Sequence, residues 1–296
     1  MHTPVLQKEI LEGLSPKPNE NFIDATFGFG GHATDILKRI RPNGKLIGIE
    51  IDPAEIKTFK EDNSFNQETL DRLILVNDSY VNLSKIAKEN DLRINGILFD
   101  LGLSSWHFEK SNRGFSFRKD EALDMRFNPE KNQLTAFEIV NYYKEDQIEK
   151  ILKEFAQEDL SKIIARNIIK ARDVRPIRTT SDLLAIIMNN LPKWYKRRKI
   201  HPATKTFQAL RMAVNDELET IRKGIEEGVG TLEKNGRIAV ISFHSLEDKI
   251  IKEMFKDKES EGKLKIITKK PITAKFNEVK ANPRSRSAKL RIAIKI

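Results

Sequence analysis

Residues 21–40, NFIDATFGFGGHATDILKRI, decide the fold. A short apolar run (Asn21–Thr26) passes through a glycine-rich turn into an amphipathic stretch (His32–Ile40), the order of a strand, a tight turn and a helix. The alternation continues outward from there. Lys45–Ile51, Arg72–Asp78 and Ile94–Asp100 read as further strands, and Ala54–Glu61 and Asn82–Asn90 as helices between them. Such alternation implies βαβ units with right-handed crossovers, and so an α/β fold built on a doubly wound parallel sheet.

After Asp100 the pattern changes. Gln147–Phe155, Leu160–Arg172 and Ser181–Asn190 repeat apolar residues at helical spacing, with Thr179-Thr-Ser-Asp182 as a capping box for the last. No convincing strand falls between about 113 and 198, which reads as an inserted helical domain. A long helix is expected over Thr204–Glu227, after which Gly236–Phe243 restores the buried-strand signature. The chain ends with Lys263–Thr268 and Lys289–Ile296, strand-like runs joined by a basic loop with no crossover helix, so they should pair antiparallel. The expected division is a discontinuous sheet domain, 1–112 and 201–296, and a helical insertion, 113–200. A parallel sheet closed by one antiparallel hairpin is the arrangement of S-adenosylmethionine methyltransferases, whereas dinucleotide dehydrogenases usually lack it.

Composition limits the alternatives. With no cysteine among 296 residues, disulfides, Cys-ligated zinc and thiol nucleophiles are excluded together. The five histidines, at 2, 32, 107, 201 and 244, show no ligand-pair spacing, and no metal is expected. The N-terminus mixes charges among its apolar residues and no run of ~18 apolar residues occurs, so a soluble, unprocessed cytoplasmic protein is expected. The net charge of +10 is uneven: 252–296 holds 14 Lys/Arg against 5 Asp/Glu, and 193–199 (KWYKRRK) has five basic residues around Trp194 and Tyr195. Basic patches interleaved with aromatics suit a polyanion whose bases stack, or else form a solvated basic surface.

Asp24-Ala-Thr-Phe-Gly28-Phe-Gly30-Gly31-His32 lies where doubly wound sheets bind ligands, at strand carboxyl ends. Gly28, Gly30 and Ala33 satisfy G-x-G-x-x-G/A, a weak signal alone. Glu50 ends the second strand, where an acid accepts hydrogen bonds from ribose hydroxyls; Asn77-Asp78 ends the third, placed to meet an adenine, and Asp100 the fourth. A glycine turn beside polar strand ends makes a nucleoside pocket. Asp100-Leu-Gly-Leu-Ser104-Ser105-Trp106-His107 then leaves the fourth strand toward the reacting centre. An amine as weakly nucleophilic as that of cytosine must be held in line by groups that accept hydrogen bonds from it, and Asp100 is the best candidate acceptor. Ser104, Ser105 and His107 either orient the base or pack.

At these residues the chain resembles the ribosomal RNA small-subunit methyltransferase H family over nearly its whole length. The matching stretches are HTPVL (2–6), DATFGFGGH (24–32), DLGLSS (100–105), RGFSF (113–117), LDMRF (123–127), HPATKTFQALR (201–211), VISFHSLEDK (240–249) and NPRSRSAKLR (282–291). The resemblance implies a Rossmann-like methyltransferase with a helical insertion, S-adenosylmethionine as donor, and N4 of a decoding-centre cytidine in 16S rRNA as acceptor. It implies a small ribosomal subunit or a late assembly intermediate as partner, and donor contacts from Gly30, Gly31, His32 and Asp100. Glu50, Tyr80 and His107 stand where Asp, Phe and Gln are usual in the family; the first two preserve the chemistry, and His107 adds a titratable group. The loop is not of the D-P-P-Y type found in many amino-methyltransferases.

The remaining motifs carry less. Ser245 and Asp248 read as a capping box, with His244 beside the target base as a substrate contact. Arg211 and Asn215 are either structural or RNA-facing. Arg284 and Arg286 suit phosphate, their hairpin projecting beside the catalytic face. The insertion either reads ribosomal shape or mediates homodimerisation. A nicotinamide-dependent oxidoreductase accounts for the glycine spacing and Glu50 but not for the basic tail, and a non-catalytic assembly factor has no need of an intact glycine loop and Asp100.

Overall fold

The computed structural model describes residues 4–61 and 65–296; His2 and Thr3 of the N-terminal motif lie outside the described residues. Two compact units emerge, Met1–Gly102 with Leu218–Ile296, and Leu103–Glu217. The helical unit is thus wider than the insertion read at 113–200, because Ser105–Glu109 and the whole Ala203–Val214 helix join its core.

In the first unit the strands are β1 (Phe22–Asp24), β2 (Leu46–Glu50), β3 (Leu73–Asn77), β4 (Ile94–Asp100), β5 (Leu232–Ser242), β6 (Leu264–Ile266), β7 (Ile272–Thr273) and β8 (Lys289–Lys295). They form one sheet in the order β3-β2-β1-β4-β5-β8-β6, with β7 paired to β8. The first five run parallel, and β8 enters antiparallel between β5 and β6. This is the expected methyltransferase-type sheet. The basic loop of the sequence reading also contains β7 and a short helix, Phe276–Ala281, whose two and six residues are too short to leave a periodic signal.

Both faces of the sheet are covered, and the side chains sort by the period of two. Phe22, Leu46, Leu98, Ala239, Ile241 and Ile292 pack with the helices Gln7–Leu14, Gly31–Arg39 and Pro53–Glu61. Ile23, Ile47, Ile97, Phe99, Ile238, Val240 and Ala293 face the other way, against Leu83–Glu89, Glu217–Thr231 and Ser245–Ser260. Burial on both sides is why these strands are continuous apolar runs in the sequence.

The helical unit packs Ala136–Tyr142, Glu145–Ala156, Ser161–Arg172, Thr180–Asn190 and Ala203–Val214 around Ile139, Leu152, Ile168, Leu183, Ile187, Phe207 and Leu210. The capping box at Thr179 and Asp182 is present. The single long helix expected over 204–227 is instead two, Ala203–Val214 and Glu217–Thr231. Asp216 takes a left-handed φ of 46°, and at the C-cap the Asn215 side-chain amide accepts from Phe127 N–H (2.8 Å) and donates to the Met125 carbonyl (2.8 Å). Arg211 forms a bidentate pair with Glu217 at 2.6 and 2.7 Å. Both polar residues hold structure. The RGFSF and LDMRF motifs do likewise: Arg113 donates to the carbonyls of Arg126 and Phe127, and Arg126 grips Asp124.

Phe22, fully buried on β1, is in register with Gly96 on β4, and a Cβ at Gly96 would lie 2.1 Å from its ring. Gly96→Ala is therefore expected to lower stability by about 1–3 kcal/mol, as overpacking does. Thermal or urea denaturation measures it, and an unchanged midpoint contradicts the packing described.

Candidate functional site

The register of the parallel strands places Asp24 beside Leu98, Glu50 beside Asn77 and Asp100 beside Ile241, so that polar residues end four neighbouring strands at one edge of the sheet. Gly28 and Gly30 turn the chain over this edge with φ of 52° and 71°, a region that disfavours side chains. Space is also restricted: a Cβ on Gly30 would lie 2.8 Å from the Phe27 ring, and one on Gly31 2.8 Å from Pro4 of the N-terminal motif.

Hydrogen bonds fix the turn to the strand ends. Gly28 N–H donates to Glu50 Oε2 and Asp52 N–H to Oε1, each at 2.9 Å, so the carboxylate that ends β2 organises the turn after β1. Asn77 Nδ2 donates to the Glu50 carbonyl at 2.8 Å, joining the ends of β2 and β3. Asp78 Oδ1 accepts from Ser79 N–H (2.8 Å) and from Asn82 (3.1 Å), an engagement with its own turn. The Tyr80 ring meets Phe99 edge-on at 5.4 Å, with Gly224 against it.

Sequence reasoning assigned no role to Asp24 or Thr26. Asp24, 2% exposed, accepts from Thr26 N–H (3.2 Å), and the Thr26 hydroxyl accepts from Asp100 N–H at 2.6 Å. The signal was only the short polar side chain two residues beyond an acidic strand end. Burial pushes the Asp24 carboxyl up to about 6, against the pull of His32 and the Thr26 N–H and with some push from Asp100. Folding therefore binds this proton more tightly, and the contribution of Asp24 to stability is greatest below its ordinary value of 3.8 and is lost as pH rises through about 6.

His32, on the first turn of the Gly31–Arg39 helix, places Nε2 3.7 Å from Asp100 Oδ2. Burial disfavours its imidazolium, but Asp100, Asp24 and Asp35 outweigh burial and raise its pKa. Asp100 Oδ1 is buried and has no hydrogen-bond partner among the described residues. A carboxylate oxygen left so costs stability unless something donates to it. Gly28, Gly30, Gly31, His32, Glu50, Asp78, Tyr80 and Asp100 are thus all carried by this one sheet edge and its loops.

Ser104, Ser105 and His107 belong to the helical unit. Ser104 Oγ lies 2.9 Å from His107 Nδ1, and the imidazole packs against Phe115 and Phe127 at ring distances of 4.9 and 5.3 Å. Ser105 opens the short helix Ser105–Glu109.

After β5, the capping box is one residue earlier than Ser245 and Asp248. His244 is the N-cap, its Nδ1 accepting from Glu247 N–H (3.4 Å), while Glu247 Oε2 accepts from Phe243 and His244 N–H. His244 Nε2 also lies 3.0 Å from Glu247 Oε1. Asp248 is thereby released to pair with Arg291 (2.6 Å) and Lys289 (3.2 Å); burial opposes its charge, but these two cations hold its carboxyl below the ordinary range. Because β8 is antiparallel and Lys289 pairs with Ser242, the Pro283–Ser287 turn carrying Arg284 and Arg286 lies at the same sheet edge as Asp100, with Arg286 exposed.

The model of the MraW methylase family matches residues 1–296. The chain belongs to this family. Within it, the chain is 42% identical to the ribosomal RNA small subunit methyltransferase H of Clostridium botulinum (strain 657 / Type Ba4), over 100% of this chain and 99% of that one. It is 45% identical to the protein of the same name from Sulfurihydrogenibium sp. (strain YO3AOP1), over the same shares. The motif-based resemblance and the full-length relatives agree on one family.

The Thr26 hydroxyl joins the glycine turn to Asp100. Thr26→Val leaves the Asp100 N–H without its acceptor and is expected to cost about 1–3 kcal/mol, with Thr26→Ser recovering most of it. Equal denaturation midpoints for the Val and Ser variants would contradict this role.

Proposed function

We infer that the sheet edge bearing Glu50 and Asp100 holds S-adenosylmethionine, and that the enzyme transfers its methyl group to N4 of a cytidine in 16S ribosomal RNA. The observation that carries the reading is the buried Asp100 Oδ1 without a partner, at the end of β4 and beside His32. Family membership supplies the reaction; the strand ends supply a place for it.

The residues fit the donor. Glu50 is an acceptor set where ribose hydroxyls meet the end of the second strand, and Gly28, Gly30 and Gly31 carry no side chain of their own to keep a ligand from the backbone of the turn. Asp78 and Tyr80 flank the adenine position, and Asp100 and His32 take the amino-acid end. When bound, S-adenosylmethionine supplies a sulfonium methyl as electrophile. Asp100 accepts a hydrogen bond from the cytosine amine and holds its nitrogen in line with the methyl group, a contribution of proximity and orientation. His32, its positive form favoured by three acidic neighbours, steadies the Asp100 carboxylate.

RNA is bound by charge. Arg284 and Arg286, at the same sheet edge, take phosphates flanking the target nucleotide, and His244 borders the base. The substrate particle is the small ribosomal subunit or a late assembly intermediate, and the nucleotide a decoding-centre cytidine. Among the described residues no helix is long and apolar enough to cross a membrane.

Asp100→Asn and Asp100→Ala are expected to lose methyl transfer to small subunits while the thermal midpoint stays near that of the wild type. Nucleoside mass spectrometry should find N4-methylcytidine with the wild type alone; near-normal turnover by either variant overturns the assignment. The Arg284→Ala/Arg286→Ala double variant should weaken RNA binding and flatten its dependence on salt. Unchanged affinity and slope remove these arginines from the interface.

A further inference from the structure

The run Lys193–Lys199 has no part in the site above, yet it is a built surface of the helical unit. Its two aromatic residues, read together in the sequence as stacking candidates, have different roles in the structure. Tyr195 is 3% exposed and its hydroxyl donates to Glu158. Burial and Glu158 push its phenol pKa up, so it stays neutral and fixed. It is an anchor. Trp194 is 56% exposed and meets Tyr195 edge-on at 5.6 Å. Only Trp194 offers a face to a ligand.

The turn is also pinned by charge. The Arg198 guanidinium lies 4.4 Å from the Tyr195 ring centre and 5.1 Å from that of Trp194, and donates to Asp159 at 2.6 Å. Lys205 donates to the Gln157 carbonyl nearby at 2.7 Å. Arg198 is therefore neutralised within the fold, whereas the exposed Lys193, Arg197 and Lys199 make no ion pair among the described residues. An indole held by a buried neighbour, with three uncompensated exposed cations within five residues of it along the chain, matches a base with its flanking phosphates. A solvated charged face needs no exposed tryptophan.

We propose that Trp194 is a stacking platform for an unpaired nucleotide of the RNA substrate, with Lys193, Arg197 and Lys199 taking the adjoining phosphates. The proposal rests on the reading of the chain as an RNA methyltransferase and adds a second contact region, on the helical unit, to that of the sheet edge. It assigns the insertion a role in holding single-stranded RNA.

The probe is a fluorescently labelled, unstructured oligoribonucleotide of about 12 nucleotides, within the span that single-strand sites cover. Its anisotropy is followed with the full-length protein and its variants over a range of salt concentrations. Trp194→Ala is expected to weaken binding roughly 5- to 100-fold, the effect of losing one stacked base, and Trp194→Phe to retain most of the affinity. Lys193→Ala and Arg197→Ala should each lower the slope of log affinity against log salt by about 0.7. Calorimetric titration with S-adenosylmethionine should give the same affinity in all variants, showing that their folds are intact. If the wild type methylates small subunits and Trp194→Ala binds the oligonucleotide as tightly, the platform alone is overturned. If the wild type transfers no methyl group to RNA, the underlying reading falls and this one with it.

Discussion

The three-residue strand β1 is the constraint on which the rest depends. Phe22, Ile23 and Asp24 are paired on both sides, to β2 and to β4, and buried on both faces. It ends at Asp24, two residues before the ends of β2 and β4, and the chain must turn in the space between those neighbours. Glycine at 28 and 30 meets the backbone demand, and the Glu50 carboxylate meets the hydrogen-bonding demand by accepting from Gly28 N–H. The same geometry that lets the chain fold thereby gathers acceptors from four strands beside an open glycine turn. Binding chemistry follows from topology rather than from an added element.

That gathering has an electrostatic consequence. Asp24 and Asp100 lie near the same histidine on adjacent strands, and burial raises the Asp24 carboxyl there. The acidic neighbours of His32 favour its charged form beside them, Thr26 satisfies Asp100 N–H, and Asp100 Oδ1 is left without a partner among the described residues. The C-terminal strand extends the logic: by returning antiparallel it brings a basic turn to the same end of the sheet as the acidic strand ends.

Much of this was legible in the sequence because strands covered on both faces are continuous apolar runs, and because a glycine turn between a strand and a helix is compositionally distinct. Asp100 and Glu50 could be singled out since each terminates such a run. Other features depend on contacts distant in sequence. The break at Asn215 arises from a bond to Phe127, and nothing local to 204–227 interrupts the helical period there. His244 displaced Ser245 as the cap because Glu247 reaches back to it, a choice between two overlapping boxes that spacing cannot make. Likewise the buried Tyr195 takes its hydroxyl partner from Glu158, 37 residues away.

The most direct measurement is a crystal structure of the protein with S-adenosylhomocysteine, the product that keeps every contact of the donor except the methyl group. The account predicts the ribose hydroxyls at the Glu50 carboxylate, the backbone of the Gly28–Gly31 turn against the ligand, and a donor from the amino-acid end on Asp100 Oδ1. A ligand bound away from these strand ends, or one that leaves Asp100 Oδ1 without a partner, would contradict it.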